Sequence, residues 1–259
     1  MATFASFIDT LPDPNNSTND YGQPSGTAGV GFKSIKFTSQ APVQVSRTNS
    51  GRVITRGIAG HKWSVNITYN PMTRDEFEPV FSFLLQQKGR LNPFYVQLPN
   101  QYTARDSAFA ACTAVQSNLI KNEFALTRGA NYMIQDNHDT TVDGSSDVTK
   151  SPRPGDMFTI LNSKDSLHTK IYRVTRVMTN TLYWDGLTGN DIPTNTSERG
   201  IYFTPNLQRD VGVTSSVGDG IMVYKNPKIR VILKNDIQEY SLGTNNLYTF
   251  SLNLEEAQA

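Results

Sequence analysis

The segment His61–Tyr69 alternates without a break, with Trp63, Val65, Ile67 and Tyr69 set against Lys62, Ser64, Asn66 and Thr68. A strict period of two over that length specifies a strand in a sheet with one buried face. Directly after it the period changes to that of a helix. Thr73 and Glu76 are spaced as a capping box, and Met72 and Phe77 as the hydrophobic staple around it. Phe77, Val80, Phe81, Leu84 and Leu85 then follow the stripe of a helix packed on a sheet, and Gly89 ends it. The spacing predicts a helix over residues 73–88. Pro79 removes one backbone donor and is expected to kink the helix or tighten its first turn.

Strands that can complete such a sheet lie on both sides. Phe32–Phe37, Val43–Arg47 and Arg52–Ile58 are short runs between turn residues, and the second and third can pair across Asn49-Ser50-Gly51. Pro93–Pro99 is a strand held between prolines. The matching material resumes only near the C-terminus, in Lys228–Asn235 and Leu247–Leu254. Residues 107–222 have a different texture. Glu123–Leu126, Met157–Leu161, Lys170–Val177, Thr181–Trp184 and Ile201–Phe203 are candidate strands, and Asp106–Leu119 fits either a helix or an extended segment. Asn, Ser and Thr fill about 70 of the 259 positions, a bias toward strand surfaces and loops. The expectation is therefore a mainly β protein. One β domain, residues 32–106 and 223–259 with a flanking α-helix, receives an inserted small β-barrel or sandwich at 107–222. Residues 1–31 stand apart as an extended N-terminal arm. They form either a loose terminus or an arm anchored on a neighbouring subunit, in which Phe4, Phe7 and Ile8 find a use.

Charge and cysteine content exclude several classes. Lys and Arg number 24 against 23 Asp and Glu, which gives no general attraction to nucleic acid or anionic lipid. No apolar run approaches the roughly 18 residues that span a bilayer. Met1–Ala5 lacks the start of a signal peptide, so folding in a cytoplasm is expected. Cys112 is the only cysteine, and it sits among alanines as a packing residue. His61, His138 and His168 lie in different elements without ligand spacing and are expected at the surface or in turns. The acidic stretch Asp136–Asp147 does not match a calcium loop. No catalytic residue, cofactor site or metal site is expected. Tyr172, Tyr183, Trp184 and Tyr202 could stack on a glycan, although core packing accounts for them better. Lys170, Arg173 and Arg176 are expected on a solvated strand face.

The order His61–Tyr69, Asn70-Pro71-Met72-Thr73-Arg74-Asp75-Glu76-Phe77, Phe83–Arg90 and Pro93-Phe94-Tyr95-Val96 resembles tailed-phage minor tail proteins of the lambda M type and the related distal tail proteins. The end of the chain, Ser251–Glu256, is similar to that family's closing strand. The resemblance covers roughly residues 32–105 and 224–256. It implies a tail-tube-like β-barrel or split sheet, with Trp63, Val65, Ile67, Tyr69, Phe77, Phe81, Leu84 and Phe94 as scaffold core. It also implies a non-enzymatic ring subunit, usually hexameric, between the tail tube protein and the tail tip or baseplate hub proteins. The location implied is the virion, with assembly in the host cytoplasm, no membrane and no direct role on nucleic acid. A carbohydrate-binding or receptor-contacting tail module, a tube-initiating ring and a tail terminator are the alternatives.

Overall fold

The structure is a computed structural model. It describes residues 9–12, 32–57, 60–98, 103–111, 118–119, 126–135, 151–161, 168–179, 193, 198–211 and 220–257. The chain divides into two compact units, Met1–Val96 with Arg230–Gln258, and Gln97–Ile229.

The first unit is built on β4 (Lys62–Tyr69), whose alternation puts Trp63, Val65, Ile67 and Tyr69 in the core. On one side β4 pairs antiparallel with β1 (Phe32–Gln40). On the other side it pairs with β14 (Tyr248–Glu256), a strand almost two hundred residues away, with Ile67 opposite Leu252 and Val65 opposite Leu254. Next to β14 come β12 (Lys228–Leu233) and β5 (Phe94–Gln97), giving the order β1-β4-β14-β12-β5. The ends of the chain thus close into one sheet. The buried carboxylate of Glu256 fastens that closure by accepting the Trp63 backbone N–H at 3.1 Å. A short strand, β13 (Tyr240–Leu242), pairs with β14 off the main path.

Helix α1 (Arg74–Gln86) has Thr73 as its N-cap. The Thr73 N–H and hydroxyl both donate to one Glu76 oxygen, at 2.9 and 2.8 Å. Met72 is fully buried and exchanges backbone hydrogen bonds with Tyr248, so the entry to the helix is tied to β14. The helix runs unbroken past a buried Pro79. The carbonyl left without its helical donor belongs to Asp75, in the exposed first turn, where water can replace it. The buried face is Phe77, Pro79, Val80, Phe83 and Leu84. It differs from the expected stripe in two places. Leu85 faces solvent, and Phe81 is only half-buried. The buried arc is rotated toward Phe83, whose ring meets Phe94 of β5 edge-on at 5.4 Å, and Leu85, about 200° away around the helix, turns out to solvent. Lys88 and Gly89 both adopt positive φ after the helix, as a glycine-stopped terminus requires.

The second unit holds a six-stranded antiparallel sheet, β6 (Asn118–Leu119), β11 (Ile221–Val223), β8 (Met157–Leu161), β9 (Ile171–Met178), β10 (Arg199–Thr204) and β7 (Tyr132–Gln135), in that order. A short helix α2 (Ser107–Ala111) starts at Asp106, whose carboxylate accepts the Phe109 N–H at 3.0 Å. The core includes Phe109, Phe158, Tyr172, Phe203 and Tyr224, all buried. The expected strand Thr181–Trp184, the Asp136–Asp147 stretch, His138 and Cys112 lie outside the described residues. Of Glu123–Leu126 only Leu126 is described, in an isolated bridge to Val211.

Candidate assembly surfaces

The scaffold beneath any surface of the first unit is an aromatic stack. Phe77 lies flat on Tyr248 at 4.5 Å and also meets Phe81, Tyr240 and Phe250. Tyr69 continues the stack toward Phe250 and Phe32, and Trp63 stacks on Phe37 at 4.4 Å. Trp63, Val65, Ile67, Tyr69, Phe77, Leu84 and Phe94 are buried here, with Phe81 at the margin against Tyr240 and Phe250. Offset and edge-on contacts of this kind add to the burial of ring area. They hold the helix and the sheet in one geometry.

The opposite face of the sheet is a field of short polar side chains in register. Across β1, β4 and β14 the rows read Ser34, Thr68, Ser251, then Lys36, Asn66, Asn253, then Thr38, Ser64, Glu255. Only Lys36 and Glu255 in these rows are charged. Asn66, Ser251 and Asn253 are exposed. Such a face is suited to contact without strong attraction.

The two edges of the sheet differ. β1 forms one edge, with no further strand beside it among the described residues. The β5 edge is partly covered by the arm. Thr10 bridges Tyr95 in parallel, with Leu11 N–H donating to the Tyr95 carbonyl at 2.8 Å and Tyr95 N–H to the Asp9 carbonyl at 2.6 Å. Leu11 is buried. Hydrophobic period alone does not predict this docking strand; its one signal is an apolar residue held between Thr10 and Pro12. Phe4, Phe7 and Ile8 lie outside the described residues.

β2 (Val43–Arg47) and β3 (Val53–Gly57) form the expected hairpin, closed by Gly51 at φ 81° and by the Thr48 side chain, which accepts the Arg52 N–H at 3.1 Å. Every residue of both strands is exposed.

Groups with chemical potential are structurally occupied. His61 and His168, expected at the surface, are both buried. Their Nε2 atoms share hydrogen bonds with the hydroxyls of Ser39 and Tyr172, each at 2.8 Å, and a nearby hydroxyl is what makes burial tolerable. Lys170 is buried too, while Arg173 and Arg176 are exposed as expected. Asp156 is buried and accepts the backbone N–H groups of Arg105 at 3.0 Å and Arg153 at 2.8 Å. Burial, then the Asp156 charge, keeps the Tyr224 hydroxyl protonated, and it donates to Gln135 at 2.9 Å. Tyr172 is fully buried and offers no face for a sugar, and Tyr202 is half-buried against Tyr132. Among the described residues no group of three or more His, Cys, Asp or Glu could hold a metal ion. No helix among them is long and apolar enough to cross a membrane.

Residues 11–102 match the family described as distal tail protein pb9, A domain, N-terminal. The chain is also 27% identical, over 175 residues, to distal tail protein pb9 of Escherichia phage T5, an alignment covering 68% of this chain and 72% of the phage T5 protein. The matched family segment runs from the docked arm strand through the hairpin, β4 and α1 to β5.

Proposed function

We propose that this chain, a relative of the phage distal tail proteins and a structural component of a phage tail, assembles as a hexameric ring. The ring joins the tail tube to the tail tip or baseplate. The observation that carries this reading is the first unit's sheet. One face is locked to α1 by aromatic stacking, and the other presents registered Ser, Thr and Asn rows beside an open β1 edge. A subunit that repeats around an axis needs a rigid scaffold, an edge that a copy can approach and a face that neighbours meet without tight binding. The partners are copies of itself, the tail tube protein on one side and tip or baseplate hub proteins on the other. The second unit, inserted between β5 and β12, is carried by this scaffold as an appended module. The role is structural, and the ordered polar groups of both units serve packing rather than catalysis.

Native mass spectrometry and negative-stain imaging of the purified chain test this. The expected species has six times the 28.8 kDa mass of the chain and a central opening. A monomer at every concentration, with no ring when tail tube protein is added, overturns the reading.

A further inference from the structure

Among the described residues the β2–β3 hairpin is the least self-sufficient element. Its strands pair only with each other among the described strands, and none of their residues is buried. Val43, Val45, Val53 and Ile54 are 52%, 59%, 48% and 53% exposed. The register puts Val43, Val45, Arg47, Val53 and Thr55 on one face, and Ile54 and Arg56 on the other. An isolated two-stranded hairpin is marginal in water, and β-branched side chains at this exposure contribute nothing until something covers them.

The charge pattern identifies what covers them. From Tyr21 to Arg74 the sequence contains seven Lys and Arg and not one Asp or Glu. Three of those cations, Arg47, Arg52 and Arg56, lie on the hairpin or its turn. Two hairpins brought together about a two-fold axis set like charges against each other, which favours a heterologous contact between copies, the kind that closes a ring. The densest acidic surface in the same unit begins where the basic stretch ends. Arg74, Asp75, Glu76 and Glu78 give the start of α1 a net charge of −2, and Arg74 is already paired with Glu78 at 3.3 Å. Glu78 and Leu85 lie seven residues apart on one outward stripe, and Leu85 is 57% exposed. The helix from Asp75 to Leu85 is about 15 Å long, and the strand from Val43 to Arg47 is about 14 Å. Arginine without lysine on the hairpin fits the composition of a protein interface, where arginine is enriched and lysine depleted.

We propose that the β2–β3 hairpin of one copy docks on the outward face of α1 of the next, with the valine face over Leu85 and Arg47, which shares that face, against Asp75 and Glu78. The inference rests on the ring reading and specifies its contact. Charge reversal tests it, read by native mass and by thermal melting. Arg47→Glu with Arg52→Glu, or Asp75→Lys with Glu78→Lys, should each convert the ring to monomer while the monomer's melting temperature stays within a few degrees, whereas Arg56→Glu, on the opposite face of the hairpin, should leave the ring intact. The two sets combined should restore the ring. Rings that survive both reversals overturn the hairpin contact and leave the ring reading standing. A wild-type chain that forms no ring overturns both. If the hairpin reversal instead leaves the ring intact and abolishes salt-dependent retention on DNA, the hairpin is a nucleic-acid contact and the proposal fails.

Discussion

The two units reach stability by different means. The first is held by rings: α1 and the sheet meet through Phe77, Phe81, Tyr240, Tyr248 and Phe250. The second also has an aromatic core, Phe158 against Tyr172, Phe203 and Tyr224, but it buries more polar and charged groups than the first. Gln135, Asp156, His168, Lys170, Glu198 and Arg199 are all buried there. A ring stack tolerates volume-preserving change and is indifferent to charge. A buried polar network is specific and brittle, because removing one partner strands the other in a low dielectric. The unit that holds most of the residues matched by the tail-protein family thus rests on the more forgiving core and buries fewer polar groups, His61, Ser64, Gln87 and Glu256.

Truncating a central ring in each unit should produce the greatest losses. Phe77→Ala and Phe158→Ala should each cost about 3–5 kcal/mol, because both rings are buried among other rings. Urea titration checks this, with a fall in the transition midpoint for each. Volume-conserving Phe77→Leu should recover much of the loss in the first unit. Next comes Asp156→Ala, expected to cost about 3 kcal/mol by leaving the Arg105 and Arg153 amides without their charged acceptor. If its cost in the same titration is instead under about 1 kcal/mol, the second unit does not depend on its buried polar groups.

The same contrast explains which parts were legible in the sequence. β4, α1 and β14 were legible because each has one buried and one exposed face, so hydrophobic period reports geometry directly. β7 was not, since Tyr132, Met133, Ile134 and Gln135 are all buried and leave no alternation. β13 escaped for the opposite reason: its three residues are all exposed, and pairing with β14 alone defines it. The Asp9–Leu11 bridge to Tyr95 depends on a partner more than eighty residues away, as the burial of His61 depends on Ser39 across β1 and β4. The hairpin turn was readable from Asn49-Ser50-Gly51, but the Val-Gln-Val alternation of β2 implies a buried face that this chain alone does not supply. That gap between pattern and burial carries the docking proposal.

A milder change probes the helix entrance of the first unit. Thr73→Ala should cost about 1 kcal/mol, the ordinary value for losing an N-cap side chain. Glu76 keeps its bond from the residue 73 backbone N–H. Amide exchange should quicken in the first turn of α1 and not in the β4–β14 ladder. Equal quickening in both would mean that helix and sheet open as one block.

The smallest expected effect separates the units by pH. Asp106 accepts the Phe109 N–H and then the Arg153 guanidinium, at 2.6 Å, and these bonds hold its carboxyl below the ordinary carboxylate range. A lowered folded-state pKa means that the stabilisation is fully present above the unfolded value, about 4. It is lost as pH falls through the folded one. Asp106→Asn should therefore lower stability at neutral pH by a fraction of the about 1 kcal/mol usual for an exposed pair, since Arg153 is largely solvated. The difference from wild type should shrink below about pH 4, where the wild-type carboxylate begins to take up its proton. Paired titrations at neutral and acid pH, following amide exchange at the start of α2, give the sign. A gap that widens on acidification would mean that the carboxylate opposes the start of α2 rather than anchoring it.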